Sequence, residues 1–216
     1  MSEKLTRKQV LFGVLAIALM SVAAISSMFL ERDVVLLLLK EGGIIETASA
    51  IGYFLCIAFL FYMGRSQSLQ SHWYLYLILL AMMLRELDFD KRFTDPGILQ
   101  SRFLTADTVG IFGKIIGLSI VLLLVISLIK WISRHGKDFF YGVINWYTRS
   151  WVVGIALALV VTSKSLDGLA RKLEPLGILV PEQLNELATR FEEVFELGIS
   201  IAIFYAIYLY WKPNRS

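Results

Sequence analysis

Apolar residues along this chain fall into six long blocks separated by polar stretches, and block length is the first structural signal. The blocks run about Leu11–Leu30, Ile44–Met63, His72–Leu87, Thr108–Trp131, Arg149–Leu166 and Val194–Trp211. A helix of about 20 apolar residues crosses the roughly 30 Å hydrocarbon core of a bilayer. Only helices and closed barrels satisfy their backbone hydrogen bonds inside lipid. The pattern therefore predicts an all-α polytopic membrane protein, a single-domain bundle of six transmembrane helices with one or two interfacial helices on its outer side. The third block is barely long enough.

The segments between blocks refine this picture. Val34–Leu39 is too short to cross and either extends the first helix or lies in the interface. Gly64–Ser71 reads as a short polar loop. In Phe139–Thr162, Asn145 and Arg149 interrupt an apolar run, and Trp146, Tyr147 and Trp151 form an aromatic belt. Phe139–Thr148 is thus expected at the interface, with the crossing centred after Trp151. Pro181 opens an amphipathic helix with Leu184, Leu187, Ala188, Phe191 and Phe195 on one face, and this helix is expected to run into the last crossing. The basic start with Lys4, Arg7 and Lys8, followed by Val22-Ala23-Ala24, has features of a signal peptide. The apolar run is long for one, and the first block is expected to remain as a crossing.

Composition agrees: 57 % of the 216 residues are hydrophobic and 18 % charged, fewer charges than soluble domains carry. The small net charge of +3 has no basic patch suited to nucleic acid. The single cysteine, Cys56, lies within an apolar block and excludes an intrachain disulfide. The segments on the N-terminal side hold nine Lys or Arg in about 32 residues, against ten in about 63 on the other side. The positive-inside rule then places both termini in the cytoplasm, here of a bacterial inner membrane. Of the 18 acidic residues only Glu3 and Asp138 fall on that side; the other 16 gather at the opposite, periplasm-facing surface.

That acidic surface is where chemistry is expected, because ionisable groups at membrane depth are expensive. Glu46 lies about a turn inside the second block. In the run Arg85 to Phe93, Glu86 and Asp90 share a face if the run is helical, as do Asp88 and Arg92. Glu192, Glu193 and Glu196 head the last block. Glu46, Glu86, Asp90 and Glu193 are the candidate polar acceptors or general bases. Arg92, Lys114 and Arg171 are candidate phosphate ligands, with Lys164 and Asp167 beside the hydroxyls of Ser163 and Ser165. The two histidines, His72 and His135, fall on the other side, so a histidine-type zinc site on the acidic face is excluded; any cofactor there is expected to be a hard divalent cation. Gly110, Gly113 and Gly117 permit close helix packing, within the chain or between subunits.

Three function classes fit. The first is binding, with or without modification, of a lipid or lipid-linked headgroup at the outer leaflet. The second is an interaction or assembly subunit, joined to other membrane subunits or to its own copies. The third is a proton- or cation-coupled permease, which six blocks without an internal repeat favour least.

Overall fold

The computed structural model describes residues 4–29, 43–89, 97–98 and 103–211, with backbone alone at 28 and 65–68. Among these residues the chain is all-helical, apart from an isolated antiparallel bridge between Lys4 and Tyr147. Seven α-helices follow in order: α1 (Arg7–Ser26), α2 (Ile44–Ser71), α3 (Trp73–Glu86), α4 (Ile111–Ile144), α5 (Thr148–Leu166), α6 (Leu169–Leu173) and α7 (Glu182–Trp211). Short 3-10 turns occupy Ser27–Phe29 and Glu174–Leu176.

Five helices are long and apolar enough to cross a membrane: α1, α2 over Ile44–Gly64, α4, α5 and α7. The expected third crossing is a helix of only 14 residues, α3. At 1.5 Å per residue it spans about 21 Å, short of a hydrocarbon core. Two loops expected from the sequence are helical instead. Gly64–Ser71 continues α2, and the chain breaks at His72. The polar stretch after Trp131 continues α4 to Ile144, so the segment expected at the interface from Phe139 is mostly the end of a long helix. Neither stretch holds a proline, so nothing local stops the hydrogen-bond ladder. The helix from Glu182 to Trp211 is continuous, as the pattern predicts.

The core lies where α2, α3, α5 and α7 meet, at Tyr53, Cys56, Leu60, Leu79, Leu159, Phe195 and Ile199. α7 is central, packing against α5, α2 and α1, while α3 connects α2 to α4. Close approach depends on small residues. A Cβ on Gly52 of α2 would collide with Ser200 of α7, one on Gly198 with Met20 of α1, and one on Gly142 of α4 with Ser150 of α5. Gly117 is covered by Phe103 and Gly113 touches Val109 of the segment before its own helix, whereas the space over Gly110 is open.

Contacts at the helix ends fix their directions. The end of α3, the end of α5 and the first half of α7 meet through Arg85, Ser163 and Glu196. At the other end, His72 before α3, His135 of α4 and Tyr210 and Trp211 of α7 pack ring against ring. The long helices therefore alternate in direction, and α4 begins, with Lys114, at the end where α3 finishes.

Candidate functional site

The carboxylate-rich end is built on the last turn of α3. Its C-terminus closes as a Schellman motif: Asp88 takes a left-handed φ of 46°, its N–H donates to the Arg85 carbonyl at 3.0 Å, and the Phe89 N–H donates to Leu84 at 3.0 Å. Aspartate tolerates this conformation better than most side chains. The helix therefore stops at Glu86, and the run from Arg85 is not one continuous helix. The face expected to pair Glu86 with Asp90 is interrupted at Leu87–Phe89. Asp90 and Arg92 themselves lie outside the described residues.

Arg85 holds two carboxylates together. Its Nη2 donates to Glu86 Oε1 at 2.6 Å and to Glu196 Oε1 at 2.5 Å, and its Nε also reaches Glu86 Oε1 at 3.2 Å. Glu196 is further held by the Ser163 hydroxyl, which donates to Oε1 at 3.0 Å, and by Lys164 Nζ at 3.5 Å. Lys164 also pairs with Asp167 at 3.0 Å and lies 3.8 Å from Glu192. Burial pushes the Asp167 carboxyl up, but the hydrogen bond and charge of Lys164, with Lys172 and Arg171 nearby, outweigh it and hold the group below the ordinary carboxylate range. Glu193 lies within electrostatic reach of Glu46, Glu86, Glu192 and Glu196, and Glu46 within reach of Glu86.

Two features of this cluster matter chemically. First, among the described residues six carboxylates (Glu46, Glu86, Asp167, Glu192, Glu193 and Glu196) gather around Arg85 and Lys164, with Lys172 and Arg171 near Asp167. Second, two buried polar atoms in it have no hydrogen-bond partner among the described residues. They are Oε2 of Glu86, whose side chain is 1 % exposed, and the hydroxyl of Tyr53, which is fully buried on α2. Buried polar atoms are nearly always paired, so each exception calls for an explanation. The cluster is not sealed: the Arg85 side chain is 31 % exposed and that of Lys164 45 %.

The structure thus brings together Glu46, Glu86, Glu193, Lys164 and Asp167 from the expected set. Arg171 stands exposed at the rim beside Asp167. Lys114 lies at the same end on α4, with no ion-pair partner among the described residues. Of the three expected phosphate ligands, Lys114 and Arg171 form no salt bridge among the described residues, and Arg92 lies outside them. Among the described residues, no three of His, Cys, Asp and Glu converge as metal ligands either.

Sequence reasoning undervalued four residues. Arg85 and Glu196 read as helix-end charges, yet they form the central ion pair. Ser163 read only as a hydroxyl beside Lys164 and serves as a hydrogen-bond donor to Glu196. Tyr53 was hidden in an apolar block; its signal is its position seven residues after Glu46, which puts both on one face of α2. Comparison of the chain with models of known protein families, with curated protein sequences and with solved structures finds no match.

Proposed function

We propose that this chain is a multi-pass protein of a bacterial inner membrane, crossing six times with both termini cytoplasmic. Its carboxylate cluster faces the periplasm and binds the headgroup of a lipid or lipid-linked molecule. The observation that carries this reading is the pair of unpartnered buried atoms, Glu86 Oε2 and Tyr53 Oη, in a cluster partly open to the outside. A ligand that hydrogen-bonds both would remove the cost of burying them, about 1–3 kcal/mol each. The excess of carboxylates over cations among the described residues favours a headgroup rich in N–H or O–H donors, an amine or a polyhydroxyl, over a bare phosphate. α3, too short to span a full hydrocarbon core, serves as the sixth crossing with the charged group at its end. Bilayer thinning accommodates such a mismatch at modest cost.

The test is mass spectrometry of lipids retained after extraction in mild detergent. The wild type is expected to carry an amine- or hydroxyl-bearing lipid at a defined stoichiometry. Glu86→Gln and Tyr53→Phe should lower its retention about tenfold, the effect of about 1.4 kcal/mol. Identical lipid profiles in the wild type and both variants would overturn the reading. A second reading, an assembly subunit, is favoured by one observation: Arg85 and Lys164 are both engaged by carboxylates of their own chain, as expected of charges that set packing. It predicts a membrane protein, not a lipid, recovered in fixed ratio and lost on Glu196→Gln.

A further inference from the structure

The opposite end of the molecule holds a groove with a different chemistry. Arg7, Val10, Leu11 and Val14 fall at i, i+3, i+4 and i+7, one face of α1, and this face opposes Trp146 in the turn between α4 and α5. With Leu5 these side chains line an open groove of about 400 Å³. Its walls are apolar but not covered: Leu11 is 59 % exposed, Val14 57 % and Trp146 56 %.

The groove is held at a fixed width by bonds that do not use its lining side chains. The Leu5 N–H donates to the Trp146 carbonyl at 2.7 Å, and Lys4 bridges to Tyr147. Gln9 caps α1 with Thr6 and accepts a hydrogen bond from the Thr148 hydroxyl of α5 at 3.2 Å. Trp146 itself adopts a left-handed φ of 56° at the end of α4 and stacks on Trp151 at 4.9 Å. A bulky side chain seldom takes that conformation, and here it turns the indole towards α1. The groove is therefore pre-formed. Its only polar lining residue is Arg7, and Lys4 and Lys8 flank it. All three are exposed, and none forms an ion pair with any described residue.

We propose that this groove binds one anionic glycerophospholipid of the membrane. One acyl chain lies along Val10, Leu11 and Val14 against Trp146, and the headgroup phosphate sits on Arg7 with Lys4 and Lys8 around it. Charge complementarity selects the occupant. Three cations with no ion-pair partner among the described residues, at the mouth of an apolar groove, suit an amphiphile with a negative head, and each Lys or Arg near such a headgroup strengthens binding about fivefold. This site is separate from the carboxylate cluster, which lies at the other end of α5 and α7.

The experiment is native mass spectrometry of delipidated full-length protein titrated with phosphatidylglycerol or phosphatidylcholine of matched chains. One phosphatidylglycerol should bind at least tenfold more tightly than phosphatidylcholine. Arg7→Gln should reduce that preference about fivefold while leaving phosphatidylcholine unchanged. Leu11→Trp, which fills the groove, should abolish the bound copy of either lipid; Val22→Trp, elsewhere on the exposed surface of α1, should not. The fivefold effect of Arg7→Gln on that preference should persist in a Glu86→Gln background, which separates this site from the headgroup cluster. Equal affinity for the two lipids, or no response to Arg7→Gln and Leu11→Trp, would overturn the proposal.

Discussion

At the scale of single residues, Arg85 decides whether the acidic end holds together. One guanidinium nitrogen lies within 2.6 Å of two carboxylates that are almost fully buried. Without it, Glu86 and Glu196 would face each other with only Ser163 and Lys164 left as donors. Breaking a buried pair by removing one partner costs about 3–5 kcal/mol, and partial exposure of Arg85 favours the low end. Arg85→Ala is therefore expected to lower the unfolding midpoint in detergent, corresponding to about 3 kcal/mol. Arg85→Lys should recover only part of this, because a lysine lacks the Nε donor that also reaches Glu86 and carries its charge on a shorter side chain. Full stability of Arg85→Ala would show that the pair contributes nothing to packing. This residue also marks the limit of what the sequence discloses. Glu46 stands out because a carboxylate a full turn inside an apolar block is rare. Arg85 and Glu196 sit within a turn of a block end, where either is an ordinary helix-end charge until the partner helix is known. Ion pairs between residues 111 positions apart leave no local trace.

At the scale of helices, the amino-acid pattern is a good guide to which segments are helical and a poor one to where they stop. The blocks predicted at Ile44, Arg149 and Val194 all lie in helices, because long apolar runs without proline have few alternatives. Their ends depart from hydropathy because a helix does not end where its apolar stretch ends. α4, at 34 residues, is about 51 Å long, so some 20 Å of it extends beyond a 30 Å slab. How the helices pack was legible only in part. Glycines at 110, 113 and 117 suggest a close-packing stripe between helices, but Gly113 and Gly117 lie under Val109 and Phe103 of the segment before their own helix and Gly110 under nothing. The close helix crossings are elsewhere, at Gly142 under Ser150, Gly198 under Met20 and Gly52 under Ser200. Gly52→Val is expected to destabilise the α2–α7 contact by about 1–3 kcal/mol through overpacking. Gly110→Ala, with open space around its Cβ position, should be neutral or stabilise by up to about 1 kcal/mol. Thermal unfolding of the two variants side by side checks this. A neutral Gly52→Val would mean that the helices separate more easily than their packing implies.

At the scale of the whole molecule, alternating helix directions sort its chemistry into two ends. Carboxylates with Arg85 and Lys164 occupy one; the histidines, the aromatic rings around Tyr210 and the basic start of α1 occupy the other. The same segregation is what the acidic and basic residues predict from their order along the chain, since each crossing carries the chain from one side to the other. A water-soluble fold has no reason to keep that bookkeeping, whereas a membrane does. The proposed orientation has a measurable consequence. Leu179, in the connection before α7, is 88 % exposed at the carboxylate end, and Lys137 is exposed on the extension of α4 at the other. The native Cys56 is fully buried and gives little background to a thiol reagent. In spheroplasts treated with a membrane-impermeant maleimide, Leu179→Cys should label at once and Lys137→Cys only after the membrane is opened. The reverse pattern would invert the protein and put the carboxylate cluster in the cytoplasm. Labelling of both in sealed spheroplasts would show that no odd number of crossings separates the two positions, and α5 could not be the single barrier between the two ends.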